Sequence, residues 1–591
     1  MAGLSADALP YFVVSGFASL GTPGGPPFAM RQAAYDVSDQ VVWKTARHSW
    51  TFGMQTVRRH VDGDASEWSS RGAFFFTPDF TSQPGIAGTG DAFASLLLGF
   101  PSEVRRDARF QPYHLRGWEL AAFAQDSIRL GRRLTIEAGV RYSLDPPITE
   151  ANGRMLNFNF SLQSPAVDVS GRYAGVGYNK RTFAPRIGFA FDASGNGSVV
   201  FRGGFSQDYD NGSYIATGAL ARNPPFASRL DIVNGTYQLG PNLTDGLPPL
   251  SPVPPSDPTG FNRVRGAVYA IQQAHYTPYS DQWVLALDLH PQQGLTFEIG
   301  GMGSMGIHLF ARFDANQPYP APTPYTFRRY PYDSFHDRVD YLSFAGGSTY
   351  YGGVFKAKGQ LRSRLQFEAG YAYAKSLDDA TAPGTDQQSR PAIAQFVYNP
   401  RGARSPSPFD ITQRLIATAS YDLPFRGHTP NGRLRALSNW RVSAIATLQT
   451  GFPFTPELST NSLNDGGYQL PDRVGGGSLP AEERSYLRWF NTSLNPNDPA
   501  RAFQIPSLYK FGNSGFDILR GPAMVDVDTA IARRFPIRES LWLDVRAEAF
   551  NLLNRTNFAL PDRILGAESA GVINHTATGA RQLQLTVRME W

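Results

Sequence analysis

Residues 582–591 alternate without a break: Leu583, Leu585, Val587, Met589 and Trp591 interleave with Gln582, Gln584, Thr586, Arg588 and Glu590. Successive side chains of a pleated strand leave on opposite sides, so a two-residue apolar period marks a strand with one dry face and one wet face. The same split places Leu134, Ile136, Ala138, Val140 and Tyr142 against Arg133, Thr135, Glu137, Gly139, Arg141 and Ser143. It recurs at Leu365, Phe367, Ala369, Tyr371 and Tyr373, and at Leu541, Leu543, Val545, Ala547 and Ala549. Such strands run over about 10–13 residues, longer than the ~5–6 usual in globular sheets and close to the ~9–11 that cross a bilayer at a tilt.

The connections decide the architecture. Strands are expected near 37–46, 48–58, 67–76, 101–109, 116–129, 132–143, 181–192, 198–208, 281–290, 294–303, 350–360, 364–375, 410–423, 438–450, 524–534, 540–551 and 580–591, with Tyr11–Phe17 as a further one. Short links (130–132, 193–197, 291–294, 362–363, 536–539, and the medium 426–437) alternate with long ones (144–180, 209–279, 376–409, 452–522, 552–579). The expected fold is therefore all-β: an antiparallel up-and-down transmembrane barrel of about 17–18 recognisable strands, with short periplasmic turns and long extracellular loops. A soluble propeller or sandwich is the alternative, but it favours shorter strands and an even repeat, and no fixed-period repeat is present. The expected organisation is an N-terminal segment, 1–36, holding a remnant strand, followed by the barrel at 37–591. Counting back from a last strand that ends at the short turns, strand 37–46 needs an oppositely directed strand before it.

Composition closes off other classes. The 591 residues carry no cysteine, which excludes disulfides and Cys-ligated metals. A net charge of +5 is too thin to predict a nucleic-acid partner. The longest apolar stretch, Ala92–Phe100, is about half of the ~20 residues a spanning helix needs. Gly301, Gly303 and Gly306 spell a dinucleotide motif, but IHLFARF follows instead of the required helix. Asp208–Gly212 opens like a calcium loop, yet its twelfth position is Ala219 and not a bidentate Glu. The nine histidines show no metal-ligand spacing and no nucleophile elbow occurs, so no catalytic site, cofactor or metal is expected. Arg133, Glu137, Arg141, Glu368, Arg546, Glu548, Arg588 and Glu590 are expected to line the lumen, where they pair across strands or contact a plug. Trp118, Tyr142, Tyr373 and Trp440 fit the interfacial girdles, where an amphipathic ring sits at headgroup depth.

Several blocks carry a family likeness: ARHSWTFG (46–53), DAFASLLLGFPSEV (91–104), FAQDSIRLGRRLTIEAGVRYSLDPPITEANGR (123–154) and APRIGFAFDASGNGSVVFRGGF (184–205). TPYSDQWVLALDL (277–289), LQFEAGYAYAKSLDDA (365–380), FDITQRLIATASYDLPF (409–425), LRGP (519–522), RAEAFNLLNRTNF (546–558) and RQLQLTVRMEW (581–591) follow in order. The chain resembles the TonB-dependent outer-membrane receptors, specifically Oar-like barrels of the acidobacterial type. That resemblance implies a barrel of 22 strands, an N-terminal plug, and energy from an inner-membrane TonB complex. No signal, carboxypeptidase-regulatory-like domain, TonB box or plug is recognisable before the first block, so the resemblance implies an N-terminally truncated barrel. It also implies that Leu583, Leu585, Val587, Met589 and Trp591 form a C-terminal signal read by the barrel-assembly machinery.

The leading expectation is an outer-membrane receptor or transporter barrel, seated in lipid, for energy-coupled uptake of a large solute that the sequence does not identify. A structural or adhesive barrel without transport, or a non-functional fragment of one, and a soluble all-β binding protein, are the alternatives.

Overall fold

The computed structural model describes residues 9–591 except 22–29, 64–71, 84–88, 110–111, 162–172, 211–216, 225, 234–241, 248–267, 274–275, 323–329, 333–337, 363, 380–394, 396, 398–399, 425–439, 464–467 and 539. The expected 426–437 link and much of the proline-rich 224–258 loop lie outside the described residues.

Among the described residues, fifteen long strands form one sheet: β1 Met30–Lys44, β2 His48–Gly63, β3 Tyr113–Leu130, β4 Leu134–Leu144, β5 Phe183–Asp192, β6 Val199–Tyr209, β7 Tyr279–Gln292 and β8 Leu295–Asp314. They continue as β9 Val339–Leu361, β10 Leu365–Asp378, β11 Gln413–Asp422, β12 Trp440–Gln449, β13 Met524–Arg538, β14 Leu541–Phe550 and β15 Gln582–Glu590. Each pairs antiparallel with the next in chain order, from β1–β2 to β14–β15. Tight turns such as 45–47 and 131–133 gather at one end, and the long connections at the other. Gly294 holds φ at 80° between β7 and β8, a left-handed conformation that suits a residue without Cβ.

Register shows why the sheet is a membrane wall. One row crosses seven strands as Leu585, Ala547, Ile531, Val442, Tyr421, Leu365 and Leu361. The adjacent row, on the other face, reads Gln584, Glu548, Ala530, Ser443, Ser420, Gln366 and Gln360. The apolar row has no core behind it: Leu585 is 72% exposed and Ile531 39%. A water-soluble sheet would bury that face, whereas a lipid-facing one leaves it bare.

The buried cores lie instead at the long-loop end. Tyr113 and Leu115 at the top of β3 pack with Ile148, Leu220, Ile271 and Phe344. Phe454, Phe490, Phe503 and Leu519 form a second core within the 452–522 loop, to which Leu565 from the next loop adds. A third core sits in a separate four-stranded sheet ordered Tyr11–Val14, Ala73–Phe76, Glu103–Arg109 and Ala227–Val233. The sequence placed barrel strands at 67–76 and 101–109. Of the first, 67–71 lie outside the described residues; Ala73–Phe76 and Glu103–Arg109 form strands, but in this sheet, because Phe74, Phe76 and Val104 bury against each other and against the helix Ala92–Leu97. Tyr11–Val14 joins them, parallel to Ala73–Phe76. That short helix is capped by Asp91, which accepts from the Ala94 amide at 2.7 Å.

Three wall strands run longer than expected: β9 has 23 residues, β8 has 20 and β3 has 18. The β8–β9 hairpin passes a bulge at Gly306/Leu309, where His308 takes φ 56°, and so continues past the membrane thickness. The glycines of the apparent dinucleotide motif all lie within β8. A Cβ at Gly303 would come within 2.5 Å of the Trp283 indole nitrogen, so this glycine makes room for an interfacial aromatic.

The 452–522 loop is clamped to the wall by Asp410, which is 2% exposed. Its carboxylate accepts from Arg520, from the Ser376 amide at 2.6 Å and from Lys375 at 3.3 Å. Arg520 also donates to the Asp410 carbonyl at 2.7 Å and the Gly451 carbonyl at 3.2 Å. Burial pushes the Asp410 carboxyl up, but Arg520, the Ser376 amide and Lys375 outweigh it and hold it below the usual 3.8.

Two outcomes are expected. Gly303→Ala should lower the temperature at which the barrel unfolds, at a cost of about 1–3 kcal/mol for overpacking. Gly353→Ala, where a Cβ meets nothing within 4 Å, should be neutral or slightly stabilising; heated-versus-unheated gel migration reads both. The depressed Asp410 pKa means that the clamp's full contribution is present above the ordinary carboxylate range and is lost as pH falls through the lowered value. Protease cleavage within 452–522 should therefore be slow at pH 7 and rise below about pH 4, and Arg520→Ala should make it fast at pH 7 as well.

Candidate functional site

The long-loop end carries a cavity of about 70 Å³, several times the ~10–15 Å³ one water needs. Trp118 from β3, Tyr178, Tyr276, Phe310 from β8 and Phe344 from β9 wall it, with Asp145 at its edge just beyond β4. The apolar core below fixes these walls: Ile271 and Phe344 belong to both. Burial, and then the nearby Glu119 carboxylate, push the Asp145 carboxyl up to about 7, against the opposing pull of Arg141. Glu119 itself is held by Arg59, whose second guanidinium nitrogen donates at 3.2 Å. Aromatic faces around a few polar groups suit a solute with flat or apolar parts. Nothing in the sequence marked this cavity, because its walls come from segments more than 200 residues apart; the aromatic density of the loops was the one available hint.

The inward face of the wall is polar and open. Asp288 and Glu298 sit directly opposite each other on β7 and β8. Arg202 bridges them from β6, with Nε 2.6 Å from Asp288, while Lys356 on β9 reaches Glu298 at 3.0 Å. Among the expected lumen charges, Glu368 faces Lys358 at 4.0 Å, and Arg546 pairs with Glu548 at 2.7 Å. Arg588 pairs with Glu590 at 3.3 Å, and Arg534 also reaches Glu590. Arg141 donates to Gln55 at 3.1 Å, and Glu137 sits on the same inward surface as Arg186 and Arg202. Arg133 differs: it falls in the 131–133 turn, beside Gly195. Eight strands give a barrel that side chains can fill; the fifteen long strands among the described residues enclose a wider lumen.

The expected girdle residues divide between the two ends. Trp118 lies under Arg58 (4.7 Å to the ring), Tyr142 packs on Phe183 with centroids 4.7 Å apart, and Tyr373 is exposed near the top of β10. Trp440 starts β12 at the short-turn end, 5.8 Å from the Arg533 guanidinium. Leu583, Leu585, Val587 and Met589 share the outward face of β15, and Trp591, next after the strand, is 91% exposed. Asp208, from the apparent calcium loop, is tied to Arg186, and Asn211 and Gly212 lie outside the described residues. Among the described residues no three His, Asp or Glu side chains gather as a metal site.

A family model described as "Outer membrane beta barrel domain" matches residues 2–584. No curated protein matches the chain. Similar solved structures include the outer membrane transporter YddB of Escherichia coli, 10% identical, covering 99% of this chain and 58% of that one at a TM-score of 0.47. The ferripyoverdine receptor of Pseudomonas aeruginosa is 12% identical, covering 95% and 48% at 0.44. The ferric enterobactin receptor of Pseudomonas aeruginosa is 10% identical, covering 97% and 55% at 0.45. This chain thus spans about half to three fifths of the length of those structures.

The soluble all-β alternative fails on the wall itself, whose apolar face is bare along its length. With the family model matched over nearly every residue, the chain belongs to the outer membrane β-barrel domain family, and its place is the cell outer membrane.

Proposed function

We propose that this chain is the barrel of an energy-coupled outer-membrane receptor of the Oar-like, TonB-dependent type. A large solute is captured at the long-loop mouth and passed through the lumen. The observation that carries the reading is the width of the wall together with its faces: fifteen described strands, apolar outside, and a row inside that is polar but for Ala530. A barrel this wide conducts unless something fills it, and the ordered blocks of family-like sequence supply the receptor assignment. The TonB complex acts through an N-terminal plug region and not through the wall. The aromatic cavity at the mouth offers a first contact for the solute. No covalent chemistry is required of any residue. In assembly, Leu583, Leu585, Val587, Met589 and Trp591 present the outward row that the barrel-assembly machinery reads.

Reconstituted in a planar bilayer without a plug, the barrel should show steady single-channel conductance approaching that of a 16-stranded porin. A barrel that inserts but stays electrically silent would favour the structural or adhesive alternative. Residues appended after Trp591 should sharply reduce the amount of heat-modifiable protein in the outer membrane; undiminished assembly would rule out the C-terminal signal.

A further inference from the structure

The mouth cavity is lopsided in charge. Glu119, Asp145 and Asp210 reach its lining, and among the described residues no Lys, Arg or His does. Trp118, Tyr178, Tyr276, Phe310 and Phe344 make most of the remaining wall aromatic. Two of these rings already carry a cation on a face: Arg58 lies 4.7 Å from the Trp118 centroid and Lys180 5.6 Å from that of Tyr178. An aromatic face is electron-rich, so rings and carboxylates together favour a positive occupant.

Asp145 marks the same place independently. Pro146 and Pro147 follow it, and neither has a backbone N–H. The turn in which an Asp side chain accepts from the amide two residues on is therefore denied to it. Both of its carboxylate oxygens are closed off from bulk water, and neither completes a hydrogen bond among the described residues. The Leu120 amide pulls on the carboxyl, but more weakly than burial, Glu119 or Arg141 act on it. Arg141 donates instead to Gln55 at 3.1 Å, and Arg59 is paired with Glu119. A buried carboxylate short of donors is stabilised by positive charge close by.

The closure of those oxygens decides the kind of cation. A primary ammonium or a guanidinium presents N–H groups that need exposed acceptors. A fully alkylated ammonium has none; it needs negative charge within about 4–6 Å and apolar faces for its methyl groups. A hard metal ion takes about 6–8 oxygen ligands, and among the described residues no such group gathers. Size agrees as well. At ~10–15 Å³ for each water-sized atom, about 70 Å³ holds roughly five, as many as a nitrogen with its four carbons.

We propose that the mouth cavity binds a quaternary ammonium head, so that the solute the barrel meets first is an organic cation of that class. Calling the occupant a solute rests on the uptake reading above, whereas the binding does not. A conducting barrel that ignores the ammonium would overturn this inference alone, and a silent barrel that binds it would overturn uptake alone.

The test compares choline with dimethylbutanol, its neutral isostere in which carbon replaces the nitrogen, on the full chain in detergent. Ligand-observed NMR titration should show saturable choline binding about tenfold tighter than that of the isostere, the advantage of a desolvated cation over aromatic faces. Equal affinity, or no saturable choline binding, would overturn the inference without recourse to any variant. At pH 8, Asp145→Asn should weaken choline about tenfold and leave the isostere unchanged, with heat-modifiable migration confirming the fold. Unchanged choline affinity in that variant would overturn the inference, and so would an equal loss in Glu368→Gln, which would reveal an effect of net charge alone. The Asp145 carboxyl, raised to about 7 in the empty cavity, loses its charge as pH falls, so choline should bind more weakly at pH 6 than at pH 8. His308, whose ring lies 4.6 Å from that of Tyr276, repels the ammonium in the same direction once protonated. The share of the pH dependence that D145N removes is the share due to Asp145, and a profile identical in variant and parent would overturn its role.

Discussion

Hydrocarbon gives a backbone amide nothing to bond to, so a chain that crosses it as strands must find every partner sideways. The rest of this structure depends on that lateral pairing. It forces the strands into one continuous ladder in chain order, with connections that alternate between the two ends. It also frees the side chains from the task of making a core. In a water-soluble sheet the row Leu585, Ala547, Ile531 and Val442 would have to bury itself; here the solvent on that side is lipid, and exposure is the stable state. The polar row one residue along faces water in the lumen for the same reason.

Beyond the rim the rules of water return. The long loops carry aromatic and aliphatic residues that the wall does not need, and these collapse into their own cores around Phe454, Phe490 and Phe503, and around Tyr113, Leu220 and Phe344. The Asp410–Arg520 clamp ties one of these cores to the wall. It joins two segments of family-like sequence that stand 110 residues apart. The cavity at the mouth rests on the other core, with Ile271 and Phe344 shared by both.

How much of this was legible depends on how local the signal was. The strands with an unbroken two-residue period, β4, β10, β14 and β15, lie where alternation placed them, and the rhythm of short and long links matches the short turns at one end of the wall and the long connections at the other. The segments at 67–76 and 101–109 were assigned to the wall because single-sequence reading sees strand but not destination. Ala73-Phe-Phe-Phe76 is apolar on consecutive residues, which suits a strand buried on both faces and not a wall strand. The extra length of β8 and β9 was hidden because the bulge at Gly306/Leu309 breaks the period. The mouth cavity and the clamp were illegible for a different reason. Both depend on register between distant segments, and one sequence without partners carries no register.

The ion pairs show how one kind of contact does two jobs in this molecule. Asp410 is shut away from water, so its partners act through a low local dielectric, and loss of Arg520 would strand a buried charge. The pairs along the lumen, such as Lys358 with Glu368, are mostly exposed, and each is worth roughly 0–1 kcal/mol at most. They cannot be what keeps the wall together, since the ladder already does so. Their placement matters for what passes them: Asp288 and Glu298 face each other across adjacent strands, with Arg202 and Lys356 alongside, so the inner surface presents closely alternating charge and not a field of one sign. Potentials of alternating sign cancel within about a Debye length, ~8 Å at physiological salt. On the uptake reading proposed above, a solute near the centre of a lumen this wide meets little net field from these pairs, and selection by charge falls to the mouth, where the loops close the distance.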